Sequence, residues 1–379
     1  MKKVIFCVYG LGIGGIEKCL VNLVNKLDLA DFDVSIATMN PEYDLLHEIK
    51  QGIKIIKFED YFINTTDTYK QIKSIPISGK KIEKLVRYVL YRLAVKFKLS
   101  PWKFHYSLQD EYDLAIAYSH TGNVPNYVSD CVRAKKKILW YHTLWKNPEL
   151  YNVYKKFDSI VAVSETCRNN FCDCFPELES KVTVIHNIYD DEKVKTGSES
   201  LVNDFDTNCI SIVTVGRLSD EKGFKLAIDT CEILKTKLNL DFKWYWVGDG
   251  PAYKKAECLI YNAGLTKEFI LLGKKDNPYP YMRLCNIYVQ PSLSEAYCTT
   301  VMEAKMLNKA IVTTNVKSFY EQINHEQDGM ISEGIATELA FNIETLLKDN
   351  ELKNKIEKNS NFKLKQDANL KKHIQFFKE

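Results

Sequence analysis

Hydrophobic positions in this chain fall into short runs rich in β-branched residues, separated by longer stretches whose apolar positions recur at helical spacing. In the first half the runs are Val4–Tyr9, Val34–Asn40, Ile53–Phe58, Leu114–Ser119, Lys137–His142, Ser159–Ser164 and Val182–Asn187. In the second half they are Ser211–Gly216, Phe242–Gly248, Phe269–Gly273, Ile287–Ser292 and Ala310–Thr314. Compact apolar runs of this kind predict strands buried on both faces, and their alternation with helices predicts parallel, doubly wound sheets. A polar stretch with Gly and Ser at 191–208 breaks the alternation and predicts a linker. It divides the chain into an N-terminal domain, 1–190, and a C-terminal domain, 209–359, followed by a lysine-rich helix.

Three strand ends in the second half carry candidate chemistry. The run Ser211–Val215 ends at Gly216-Arg217, and Lys222-Gly223 opens a helix with Leu226, Ile228, Ile233 and Leu234 at its apolar positions. An Arg and a Lys at the carboxyl edge of a doubly wound sheet suit a diphosphate, one as a planar fork and the other as a point charge. The next run ends in the glycine turn Gly248-Asp249-Gly250, where backbone can approach a ligand closely. The run Ile287–Ser292 leads through a polar loop to a helix starting near Thr299 or Thr300. Free N–H groups and the positive end of the helix dipole make such a junction an anion site. Glu295 falls in the loop and Glu303 in the first helical turn; the structural alternative is that Glu303 only complements the dipole.

Together these motifs, in this order, resemble the retaining glycosyltransferases of family 4, and most closely the bacterial group 1 enzymes that build capsular and other surface polysaccharides. The resemblance runs from Val4 to about Ser332. It implies the GT-B architecture, with two Rossmann-like, doubly wound parallel-sheet domains facing across a cleft and the terminal helix, about 360–379, returning to the first domain. It also implies that Arg217 and Lys222 clamp the nucleotide diphosphate, that Glu303 holds the ribose, and that Glu295 sits by the transferred sugar. The backbone of Ala296, Tyr297, Cys298, Thr299 and Thr300 meets sugar and phosphate, and Gly248 lines the donor site. Relatives usually have Gly where this chain has Ala296, often Asn-Pro where it has Asn187-Ile188, and a small residue or Pro at Cys298.

Gly10, Gly12 and Gly15 satisfy the dinucleotide-binding spacing G-x-G-x-x-G, but that reading needs an acid at the end of the second strand, and the strand ends in Asn40. The family resemblance instead directs Gly14 and Gly15 at the donor's sugar and phosphate. It places His142, at a strand end, against the transferred sugar, and His120, at the preceding strand end, toward the acceptor. Without the resemblance each histidine reads as a capping or packing residue.

Composition narrows the function class further. The 379 residues suit two α/β units, and a net charge of +3 without a basic, aromatic-studded stripe argues against nucleic acid. The eleven cysteines lack paired C-x2-C spacing and read as reduced thiols; Cys167, Cys172 and Cys174 form only a weak zinc candidate. No acid pair stands beside Arg217 and Lys222 to hold a divalent metal, so neither metal nor cofactor is expected. No signal peptide and no membrane span are expected either, which predicts a cytoplasmic protein. Residues 80–104 combine eight Lys and Arg, against Glu83 alone, with Leu85, Val86, Val89, Leu90, Leu93 and Phe97 at helical spacing. This helix suits either an anionic membrane surface, fitting a polyprenyl-diphosphate-linked acceptor, or inward packing with solvated lysines.

The expected activity is metal-independent, retaining transfer of a sugar from a nucleotide-diphosphate donor, UDP before GDP or ADP, to a glycan or lipid-linked acceptor. A nucleotide-sugar epimerase and a non-catalytic partner of another transferase are the competing readings.

Overall fold

In the computed structural model, residues 1–57, 110–120, 123–237, 241–359 and 362–379 are described, with isolated positions between 82 and 108. The chain divides into two compact units: Met1–Val163, Cys167–Ile188 and Asn369–Glu379 form the first, Ser164–Thr166 and Tyr189–Ala368 the second.

The first unit holds a parallel sheet of seven strands: β1 Lys2–Val8, β2 Phe32–Thr38, β3 Lys54–Lys57, β4 Glu111–Ala117, β5 Arg133–Tyr141, β6 Ser159–Ala162 and β7 Val182–Val184. Their spatial order is β3-β2-β1-β4-β5-β6-β7, so the winding reverses between β1 and β4. The register pairs Cys7 with Ala117 and Ala117 with Leu139. Continuing along each strand, Gly10, His120 and His142 therefore reach the same carboxyl edge.

The second unit holds β8 Ile210–Val215, β9 Phe242–Val247, β10 Phe269–Gly273, β11 Ile287–Gln290, β12 Ile311–Thr314 and β13 Met330–Ser332, all parallel, in the order β10-β9-β8-β11-β12-β13. The reversal here lies between β8 and β11, and the pairing of Val213 with Tyr288 sets Gly216 level with Pro291. In doubly wound sheets ligands bind at such a reversal, outside the carboxyl ends of the strands. The indole N–H groups of Trp244 and Trp246, both buried, donate to Thr214 Oγ1 and to the Gly216 carbonyl, each at 3.0 Å.

The helices that matter below are α1 Gly15–Lys26, α2 Asp191–Ser198, α3 Phe224–Lys237, α4 Tyr253–Asn262, α5 Tyr279–Leu284, α6 Thr299–Met306 and α7 Phe362–Lys378. The stretch read as a linker begins with α2: Asp190 caps it through Lys193 N at 3.1 Å, and Val194 and Ser198, one turn apart, are buried. Polar composition hid a helix that needs only one narrow buried stripe. Strand β13, three residues long, was also missed, because three residues carry no readable period. The end of α7 belongs to the first unit, where Phe377 meets Phe6 edge-on and His373 stacks on Trp140.

Candidate functional site

At the reversal point of the second unit the backbone comes first. Gly223 has φ +73°, and a Cβ there would stand 1.8 Å from the Pro291 carbonyl oxygen. Gly248 has φ +148°, with a Cβ falling 2.0 Å from the Gly216 carbonyl oxygen. These glycines let the loops after β8, β9 and β11 touch backbone to backbone, which gathers their side chains at one edge.

Lys222 and Glu295 form an ion pair at 2.6 Å, with the Glu295 side chain 8% exposed and that of Lys222 24%. Burial works against the lysine's charge, but the Glu295 carboxylate outweighs it and raises the ammonium above its ordinary value. Arg217 points outward, 66% exposed, and pairs with Glu221 at 2.6 Å. Its charge is therefore accessible to a ligand, and the surface pair contributes little to stability.

Helix α6 starts at Thr299, so its first N–H groups have no intrahelical acceptor. The loop before it is clamped by Gln322, whose side chain accepts from Cys298 N at 3.0 Å and donates to the Cys298 carbonyl at 2.7 Å. Behind Gln322 stands a buried pair, Lys305 with Asp328 at 2.8 Å. Cys298 is buried and its thiol is pushed up to about 12 by burial, so at neutral pH it acts as a packing group. Ala296, Tyr297, Thr299 and Thr300 are partly exposed along the same edge.

Glu303 is the fifth residue of α6, one turn deeper than the first-turn position read from the sequence. It is buried and accepts from Tyr279 Oη at 3.1 Å. Dipole complementation, which fades beyond the first turn, therefore does not account for it. Tyr279 is seated by α2: Asn277 Nδ2 donates to the Gly197 carbonyl at 2.7 Å, and Arg283 Nε to that of Ser198 at 2.7 Å. Tyr279 had no sequence signal, since it lies 24 residues from its partner.

In the first unit Gly14 caps α1 in extended conformation. The Glu17 carboxylate folds over Gly14, and burial, with Glu42 adding to it, raises Glu17 above the usual carboxylate range. Glu42 corrects the sequence reading. An acid does stand two residues behind Asn40, and its carboxylate lies beside Gly12, within 2.9 Å of where a Cβ would be. Side-chain nitrogens of both histidines, Nδ1 of His120 and Nε2 of His142, are buried and find no hydrogen-bond partner among the described residues. Burial lowers His142 to about 3, with His120 adding to it, and lowers His120 to about 4. Both rings are therefore neutral at physiological pH and able to accept or donate one hydrogen bond. No cluster of metal-ligating side chains occurs among the described residues.

Two family models match successive halves of the chain. One, for group 1 glycosyl transferases, matches residues 200–362, and the other, for glycosyltransferase family 4, matches residues 13–193. Among curated relatives, the N-acetylgalactosamine-N,N'-diacetylbacillosaminyl-diphospho-undecaprenol 4-alpha-N-acetylgalactosaminyltransferase of Campylobacter jejuni is 23% identical, over 93% of this chain and 92% of its own. The capsular polysaccharide biosynthesis glycosyltransferase CapH of Staphylococcus aureus is 23% identical over 63% of this chain and 70% of its own. Among solved structures, Anabaena HepE with UDP and glucose superposes with a TM-score of 0.72 at 17% identity, covering 99% of both chains. Staphylococcus aureus TarM, in complex with UDP among other ligands, does so at 0.71 and 15%, covering all of both chains. These structures establish the GT-B fold. With its two halves matched in order by the two models, the chain belongs to the group 1 glycosyltransferases of family 4.

Proposed function

We propose that this glycosyltransferase moves a sugar from a UDP-sugar to a glycan or lipid-linked acceptor, with retention of anomeric configuration and without a divalent metal. The observation that carries the reading is the gathering of Arg217, Lys222, Glu295, Glu303 and the α6 N-terminus at the reversal point of one sheet. Departure of the nucleotide leaves negative charge on its phosphates while the sugar ring gains oxocarbenium character. Arg217, Lys222 and the free N–H groups of α6 are the donors that stabilise this charge, each at a cost of about 10²–10³ in rate if removed. They supply the neutralisation that a metal would otherwise provide. Glu303 takes the ribose hydroxyls and Glu295 the transferred sugar, with Gly248 and the segment from Ala296 to Thr300 lining the donor. Gly14 and Gly15 approach the donor's phosphate, His142 contacts the sugar and His120 the acceptor. Attack comes from the face the nucleotide leaves, and the departing phosphate takes the acceptor's proton.

Names among the relatives support the partners. The Campylobacter enzyme acts on a diphospho-undecaprenol-linked acceptor, and UDP is the nucleotide in the HepE and TarM complexes. A polyprenyl-linked acceptor stays in the bilayer, which gives the protein reason to work at the inner face of the membrane. Most of segment 80–104 lies outside the described residues. At the described positions Ile82, Val86, Val89 and Leu93 are helical and exposed, forming an apolar stripe in a segment rich in Lys and Arg. That stripe favours a membrane-facing helix. Among the described residues, no helix is long and apolar enough to span a membrane.

The test is hydrolysis and transfer with a panel of UDP-, GDP- and ADP-sugars, with and without EDTA, the product anomer being read by NMR. The reading expects one UDP-sugar to be used, at the same rate in EDTA, with the donor configuration kept. Use of a GDP- or ADP-sugar, inhibition by EDTA, or an inverted product would each refute the corresponding part.

A further inference from the structure

Behind Glu295 runs a chain of hydrogen bonds whose direction is fixed at every link. The Glu295 carboxylate can only accept, and it takes two bonds on Oε1: from Lys222 Nζ at 2.6 Å and from Ser292 Oγ at 2.7 Å. Ser292 has one hydroxyl hydrogen and spends it on Glu295, so its oxygen must accept, and it does so from Gln290 Nε2 at 2.9 Å. That orients the amide. Gln290 Oε1 then faces the other way and accepts from Tyr288 Oη at 2.7 Å and from Thr300 Oγ1 at 3.0 Å. A flipped amide would leave two acceptors competing for the single Ser292 hydrogen. Tyr288, Gln290 and Ser292 are all fully buried, and Thr314 Oγ1 donates to the Ser292 carbonyl, which fixes the backbone that carries the serine. Thr300 joins the first turn of α6 to the same chain.

Buried polar groups wired this completely hold one geometry, because breaking any link strands a donor or acceptor away from water. Both protein donors converge on Oε1, so Oε2 is the oxygen presented to a ligand. The geometry points to Gln290 and Ser292 as positioning residues for the donor sugar. They aim Glu295 through the bond it accepts from Ser292. This rests on the proposed donor site and names, within it, what sets the placement of the sugar as distinct from that of the nucleotide.

The test separates those two parts of the donor. UDP is titrated calorimetrically into wild type, Gln290→Met, Gln290→Glu and Ser292→Ala, and kcat and KM are measured for hydrolysis of whichever of UDP-glucose, UDP-galactose, UDP-N-acetylglucosamine and UDP-N-acetylgalactosamine the wild type uses. Expected is a UDP Kd within about threefold of wild type in every variant, with kcat lower by about tenfold or more. Ionised, Gln290→Glu keeps both acceptor contacts but cannot donate to Ser292, whereas protonated it can, so its kcat should fall toward that of Ser292→Ala as the pH is raised. Unchanged kcat in all three variants overturns the inference, and so does a loss of UDP affinity in parallel with kcat, which marks a merely structural role. A wild type that binds no UDP overturns instead the functional reading beneath it.

Discussion

Replacing Gly223 by alanine places a methyl group where the carbonyl oxygen of Pro291 already stands. The built Cβ lies 1.8 Å from that oxygen, about 1.6 Å short of ordinary van der Waals contact, and the obstacle is backbone that no rotamer change can move. The left-handed conformation at φ +73° adds about 1–2 kcal/mol for any residue with a Cβ. Forcing the loops apart adds about 1–3 kcal/mol of overpacking. The expected loss is thus about 2–5 kcal/mol. Gly264 supplies the control: it has φ +66° at the end of α4, and a Cβ there meets nothing within 4 Å. Gly264→Ala should cost only the conformational part, about 1–2 kcal/mol. Urea unfolding of the two variants, followed by tryptophan fluorescence with Trp244 and Trp246 in the core of the affected unit, measures both. The shift of Pro291 also carries Ser292 and Glu295, so Gly223→Ala should lose donor hydrolysis while Gly264→Ala keeps it. Equal destabilisation by the two variants would refute the close approach of these loops.

Other outcomes follow from the same geometry. Lys305→Met strands Asp328 in the interior and should cost about 3–5 kcal/mol in urea unfolding. Tyr279→Phe removes the hydroxyl held by Glu303 and should weaken UDP binding by about tenfold at most in calorimetry, with the melting temperature nearly unchanged. Acidification should destabilise the first unit. Burial lowers His373 to about 4, so between roughly pH 6.5 and 4 the unfolded chain binds the proton that the folded protein refuses, and stability falls with pH. The loss from His373 reaches at most about 3 kcal/mol at the acid end of that window, and thermal melts of wild type and His373→Phe from pH 7.5 to 4.5 should show a flatter profile in the variant.

Much of this architecture was legible because its signals are local. Runs such as Ile212–Val215 and Ile287–Val289 are buried on both faces, and an uninterrupted apolar stretch is the direct imprint of that environment. Arg217, Lys222 and Glu295 stood out for the same reason, each lying within a few residues of a strand end. The parts that escaped are held by partners distant in sequence. Tyr279 acquires meaning only from Glu303, Gln322 only from Cys298, and Gln290 from Thr300 across the first turn of a helix. Helix α2 escaped because its buried face is narrow. Glu42 is legible in the sequence, two residues past Asn40; only its return over Gly10 and Gly12 required the structure.

Calorimetric titration of UDP into wild type, Arg217→Ala and Lys222→Ala, with thermal melts of each, asks whether the nucleotide diphosphate sits at the β8–β11 edge. The geometry predicts UDP affinity at least about tenfold weaker in each variant. Arg217→Ala should melt like wild type, since the pair Arg217 makes with Glu221 is a surface one. UDP bound equally well by all three proteins would place the donor elsewhere and contradict the account.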